Sequence, residues 1–170
     1  MEAQRAKSKA NSPLVHQKDE PTMSPDEYGR ILEGVQLRSL VLTEVSASAD
    51  IALVMAQAGK GGVPLTVSER AEFSVNDTVT VKQFYDITCQ SGRKKCFRLQ
   101  ATYELGFESA EGFSEEFFEI FRRVSLPLYS WPYLRELAQN MAARMGLPPL
   151  VLPLVRFGQQ FDGSEEEEAE

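Results

Sequence analysis

The sequence predicts an α+β domain in which a four-stranded antiparallel sheet carries helices packed on one face. Three observations point there. Val79 to Cys89 and Cys96 to Phe107 alternate apolar and polar residues with a period of two, separated by a short polar turn. Two further stretches, Val35 to Ala47 and Val63 to Phe73, are strand-like and lie upstream. Beyond the strands the spacing changes to that of amphipathic helices, and strands followed by helices is an α+β order.

At 170 residues and 42% hydrophobic content, the chain suits one domain with tails. A net charge of -7 argues against nucleic acid, whose phosphates such a surface would repel. No apolar run approaches a membrane span, so no membrane insertion is expected. Residues 1–27 are rich in Lys, Ser, Pro and Asp and poor in large apolar side chains, and they read as a disordered arm. The arm has positive charge but no apolar segment behind it, so it is not a secretory signal, and a cytoplasmic protein is expected. Residues 158–170, ending GSEEEEAE, read as an acidic tail, leaving 28–157 as the folded domain.

Within that domain, Tyr28 to Leu32 suggests a short turn before the first strand. The alternation from Val35 to Ala47 changes phase: Val35 and Leu37 share one parity, Leu40 and Leu42 the other, and Val45 returns to the first. A bulge is the simplest cause. Ile51 to Ala58 is apolar and ends in Gly59-Lys60-Gly61-Gly62, as either a short helix or a connection crossing the sheet. In the central hairpin the apolar residues are odd-numbered in both strands, so odd must pair with odd, for example Ile87 opposite Leu99. That register implies a loop of odd length, such as Gly92-Arg93-Lys94, and sends Cys89 and Cys96 to opposite faces of the sheet, too divergent for a disulfide. Ser114 reads as the N-cap of a helix with Glu115 and Glu116 in its first turn and Phe117, Phe118, Ile120 and Phe121 along it.

The most informative stretch is Trp131 to Phe157. Pro132 suits a first helical position, and Gly146 with Pro148 and Pro149 supplies a stop. Between them Leu134, Leu137, Ala138, Met141, Ala142 and Met145 form one apolar stripe. The following strip, Leu147 to Phe157, is too broken by prolines for another helix and too apolar to be left in water. The run Trp131-Pro132-Tyr133-x-Arg135-Glu136, then Arg144, Pro148-x-Leu150-x-Leu152 and Val155-x-Phe157, resembles the signature of the SecB protein-export chaperone family, and VQLRSLVLTEVSASA resembles that family's first strand. Trp131 stands where the family has Phe, Arg156 where it has Asn, and Pro153 comes one position early.

The resemblance implies a SecB-like fold and a homotetramer, a dimer of dimers packed through the long helix, with Leu137, Met141 and Met145 at the oligomer interface. It also implies an ATP-independent chaperone that holds unfolded preproteins in apolar grooves and passes them to the SecA motor, with no cofactor. From the apolar pattern we expect the groove to be lined by Ile51, Leu53 and Met55 and by Leu150, Leu152 and Leu154. The family's second helix and motor-docking tail have no counterpart in GQQFDGSEEEEAE, so coupling to SecA is expected to be weakened or replaced. A chaperone serving a toxin-antitoxin pair is an alternative subtype, and a small-ligand-binding α+β module with the apolar strip lining an internal pocket is the alternative class.

Enzymatic chemistry finds little footing. His16 is the only histidine and lies in the arm, so no histidine triad or His-rich metal cluster can be built in the core. Cys89 and Cys96 supply at most half of a tetrahedral thiolate site. Ser91-Gly92-Arg93-Lys94 has the S-x-x-K spacing of some nucleophilic serines, but on a hairpin tip nothing desolvates the lysine. Gly59 to Gly62 lacks the spacing of a phosphate loop, Asn76-Asp77-Thr78 is a glycosylation sequon without a secretory context, and Arg135 and Glu136 on a polar helix face suit an ion pair or a subunit contact. No catalytic and no metal residue is assigned.

Overall fold

The computed structural model describes residues 23–108 and 112–153. Most of the expected arm, Leu154 and the acidic tail lie outside the described residues. The elements in chain order are α1 (Pro25–Gly34), β1 (Gln36–Ala49), α2 (Ile51–Ala58), β2 (Thr66–Val75), β3 (Val79–Ser91), β4 (Lys94–Glu108), α3 (Glu115–Val124) and α4 (Leu126–Arg144). The strands form one antiparallel sheet in the order β1-β4-β3-β2.

The first helix begins inside the stretch read as a disordered arm, and what looked like a turn at Tyr28 to Leu32 is its middle. Its signals were present: Ser24 caps Glu27 N at 3.2 Å, Pro25 takes the first turn, and Asp26 and Glu27 sit where the helix dipole favours acids. Burial completes the argument, since Ile31 enters the core, Tyr28 stacks on Phe117 with ring centroids 5.1 Å apart, and its hydroxyl meets Ser125 Oγ at 2.6 Å.

Two bulges in β1, between Leu37 and Ser39 and between Leu42 and Glu44, fall at the two phase changes of its sequence. They keep Leu37, Leu40, Leu42, Val45 and Ala47 opposite Phe107, Leu105, Tyr103, Ala101 and Leu99, all on one face. Because β1 and β2 are the two edges, the chain between them must cross the sheet, and α2 with the glycine turn is that crossing. Gly61 and Gly62 have φ of 115° and 144°, a region closed to ordinary L-residues. The strand expected from Val63 begins at Thr66; Val63 and Leu65 instead pack against the core as a lead-in.

The central hairpin has the expected register, with Ile87 paired to Leu99. Its end does not follow the expected loop. A two-residue Gly92-Arg93 turn, with Gly92 at φ 60°, pairs Ser91 with Lys94 and Gln90 with Lys95. A bulge after Cys89 then restores odd-to-odd pairing, so Cys96 and Phe97 together oppose Cys89. The bulge absorbs the residue that the odd loop was meant to hold, and it turns Cys96 to the buried face. The expectation of divergent cysteines is therefore overturned: Cys89 and Cys96 are both buried, free thiols with their sulfurs 2.7 Å apart.

Helix α3 is capped as expected, Ser114 Oγ accepting from Phe117 N at 3.2 Å. The long helix starts earlier than its prolines suggested. Ser125 ends α3 and opens α4, Pro127 occupies the first turn, and Pro132 lies inside the helix. Pro132 forgoes a bond to the Leu128 carbonyl, but both residues lie on the exposed side, while Leu126, Ser130, Trp131 and Leu134 are buried opposite. That burial outweighs a penalty of about 3 kcal/mol for an internal proline. At the other end Gly146, φ 68°, donates to Ala143 O and Leu147 donates to Ala142 O, a Schellman stop at the predicted glycine.

The core lies between the odd-numbered face of the sheet and the helices. Phe107, Phe113, Phe117, Phe121 and Tyr129 form an aromatic cluster under α3 and the start of α4. Leu147, Leu150 and Leu152 close the other side, and Trp131 Nε1 donates to Pro153 O at 2.8 Å, pinning the strip to α4.

Candidate client-binding surface

Helix α2 has no charged residue, yet only Val54 is fully buried. Asp50 starts it by accepting from Leu53 N at 3.1 Å, and Gln57 Nε2 reaches Gln90 O at 3.3 Å, which fixes the helix over the β3–β4 hairpin. With Val54 turned inward, Ile51, Ala52, Met55 and Ala56 share the outward side as two i, i+4 pairs, and all four are exposed. Ile51 and Met55 are each 53% exposed, an unusual fate for large apolar side chains on neighbouring turns. Leu53 is half-buried against the core.

A second uncovered apolar group comes from β1. Leu42 and Val45 point to the helix-bearing face, but they sit on the edge strand and remain 37% and 47% exposed. Sequence reading missed both as surface residues; the signal was the double phase change, which marks a bulged edge strand rather than a central one. The expected groove residues do not all share this surface. Leu150 and Leu152 are 1% and 2% exposed and fill the core, because Trp131 anchors the strip; Leu154 lies outside the described residues. On α4 the expected interface residues Leu137, Met141 and Met145 are half-buried and continue from Tyr133, 51% exposed, as one i, i+4 row.

Electrostatics distinguish the two faces of the sheet. The helix-free face is polar, with Arg98 gripping Asp86 through Nε at 3.0 Å and Arg70 lying 3.7 Å over the Phe84 ring. Hydrogen bonding to Arg98 holds the Asp86 carboxyl below the usual range. A concavity of about 650 Å³ runs across this face past Ser46, Ser68, Arg70, Phe84, Asp86 and Gln100, and none of the expected groove residues lines it. Under α4 a buried polar chain links Ser130 Oγ to Gln83 Oε1 at 2.5 Å and to the Tyr85 hydroxyl at 2.7 Å, while Gln83 Nε2 donates to Glu69 at 3.3 Å. Every member has a partner, so the chain fixes α4 against β3 instead of leaving a reactive group free. Among the described residues no cluster of His, Cys, Asp and Glu could hold a metal ion, and no helix is long and apolar enough to cross a membrane.

Burial raises the Glu69 carboxyl above the ordinary carboxylate range, offset in part by the Gln83 amide. A raised folded-state pKa contributes stability that is fully present below the unfolded value and is lost as pH rises through the folded one. Glu69→Gln should therefore weaken the decline in stability across that window and be neutral or mildly stabilising at pH 7. Urea midpoints measured from pH 4 to 8 check this; a pH dependence unchanged in the variant would remove Glu69 as its source.

No protein-family model and no curated protein sequence matches the chain. Solved structures do. A SecB-like chaperone of Mycobacterium tuberculosis, solved in complex with a ChAD peptide from the HigA1 antitoxin, superposes with a TM-score of 0.65 over 78% of this chain and 99% of that one, at 18% identity. The chain has a SecB-like fold. A protein of unknown function from Streptococcus agalactiae is a more distant match, with a TM-score of 0.40 at 10% identity over 71% of this chain and 97% of that one. Low identity across nearly the whole of the first structure makes this a divergent SecB-like fold, in which α2 and β1 carry exposed apolar residues and α4 carries the row from Tyr133 to Met145.

Proposed function

We propose that this chain is an ATP-independent chaperone that holds unfolded polypeptide segments on the apolar surface formed by Ile51, Ala52, Met55 and Ala56 of α2, with Leu42 and Val45 of β1 as a further contact. The observation that carries the reading is an uncharged helix fixed to the sheet with its apolar side outward. Such a surface suits many clients because apolar contact is non-directional. Burying roughly 500 Å² of client apolar surface yields on the order of 12 kcal/mol before association costs, enough for holding without nucleotide. The rival small-ligand reading needs the proline-rich strip to line a pocket, and Leu150 and Leu152 are packed into the core instead.

The test is suppression of aggregation of a chemically unfolded client. Near-stoichiometric suppression without nucleotide is expected; failure at tenfold excess would sink the reading. The antitoxin peptide in the Mycobacterium tuberculosis complex favours a second, narrower reading, a chaperone dedicated to an antitoxin. A general chaperone suppresses aggregation of unrelated clients equally, whereas a dedicated one discriminates by at least about tenfold in affinity, or ~1.4 kcal/mol. Export and delivery to a SecA motor remain part of the proposal only where preproteins are among the clients bound.

Assembly belongs to the same proposal. The row Tyr133, Leu137, Met141 and Met145 is the surface we assign to packing between copies in a homotetramer. Met141→Asp would place an unpaired charge in that interface and should split the assembly or unfold it. Light scattering at micromolar concentration reads the outcome, and a wild-type protein that scatters as a monomer would remove the tetramer.

A further inference from the structure

The bulge after Cys89 creates an arrangement that the proposed function does not use. In an unbulged hairpin with this register Cys96 would face away from Cys89. Here one extra residue turns it inward, and the two sulfurs lie 2.7 Å apart, against a disulfide bond length of about 2.05 Å. Both side chains are sealed, Cys89 at 0% and Cys96 at 1% exposure. The backbone is held from above by α2: Asp50 N donates to Cys96 O at 2.9 Å and Gln57 Nε2 to Gln90 O at 3.3 Å. Two thiols brought together by a specific backbone irregularity differ from two that merely fill core volume.

We propose that Cys89 and Cys96 form a thiol oxidation site, which a small disulfide such as glutathione disulfide converts to an intramolecular Cys89–Cys96 disulfide. One cysteine gives up its proton and its sulfur attacks glutathione disulfide, expelling one glutathione, which takes up a proton. The second cysteine, also deprotonated, attacks the protein sulfur of the mixed disulfide and expels the other glutathione. Two S–H bonds are lost and one S–S bond is formed in the protein, and glutathione disulfide is reduced to two glutathione molecules.

Rate and equilibrium differ here. Burial, with the neighbouring Cys96, pushes the Cys89 thiol up to about 12, so at neutral pH it is protonated and a poor nucleophile. Exchange must pass through local opening of the bulge under α2 and is slow. The equilibrium instead follows the distance between the sulfurs, because the folded chain has already brought them together and the unfolded chain has not.

The experiment equilibrates the full chain, free of oxygen, in a series of glutathione redox buffers, starting separately from reduced and oxidised protein so that slow access cannot pass for stability. Acid quenching, alkylation and peptide mass mapping measure the products, in native buffer and in unfolding urea. We expect the Cys89–Cys96 crosslink as the main oxidised product, with a native equilibrium constant at least about tenfold above the unfolded one. A native constant equal to or below the unfolded one overturns the proposal, as does a predominance of glutathione adducts or intermolecular disulfides. The outcome is independent of whether the chain holds clients.

Discussion

Combining Ile51→Asp with Met55→Asp is expected to reduce suppression of client aggregation by at least about tenfold while leaving the far-ultraviolet spectrum and the urea midpoint near wild type. The two native side chains are each 53% exposed in the chain by itself, so little folding energy rests on them. Each contributes on the order of 1.5 kcal/mol or more if a client covers it, and a charge opposes that covering. The carboxylate introduced at position 51 would sit in the first turn of α2, where the helix dipole favours it, which limits damage to the helix. The measurement is light scattering of an aggregating client at fixed chaperone ratio. Full activity in a variant with an intact fold would move client binding away from α2.

Phe121→Ala should cost about 3–5 kcal/mol of stability. Phe121 has 0% exposure and its ring lies 5.4 Å from Phe107, 5.5 Å from Phe117, 5.8 Å from Phe113 and 6.1 Å from Tyr129 by centroid. Removing it leaves a cavity bounded by rings from β4, α3, α4 and the segment leading into α3, none of which can collapse without disturbing another. Against a total stability of typically 5–15 kcal/mol, such a loss leaves the variant marginal at 25 °C. Urea denaturation reads the change. Phe84→Ala on the polar face of the sheet is the control, expected to cost much less because Phe84 is only half-buried. A loss at Phe121 below about 1 kcal/mol would show that the aromatic cluster does not hold the helices to the sheet.

Much of this molecule was legible in its residues because the signals are local. Period-two alternation gave the β3–β4 register down to Ile87 against Leu99, since a slip of one residue would expose every apolar side chain. The phase changes in β1 pointed to a bulge, and the strand has two, one at each change. Ser114 and Gly146 marked helix ends through side-chain capping and a left-handed backbone, both properties of single residues. The early start of α1 was also written locally, in Ser24, Pro25, Asp26 and Glu27, and was obscured by the polar segment before it.

The rest was decided in three dimensions. Whether an apolar residue faces core or solvent depends on what lies across from it, so Leu150 and Leu152, which looked like groove lining, became core once Trp131 drew the strip beneath α4. Ile51 and Met55 stayed outside because α2 turned Val54, with Leu53 beside it, toward the core. Pro132 did not begin a helix because burial of Leu126 and Trp131 on its neighbouring turns outweighed its missing hydrogen bond. Composition and periodicity thus determined the fold class and the register of the central strand pair. Tertiary packing alone chose which apolar residues remained exposed and, through one bulge, set two cysteines together, since both follow from contacts between segments far apart in the chain.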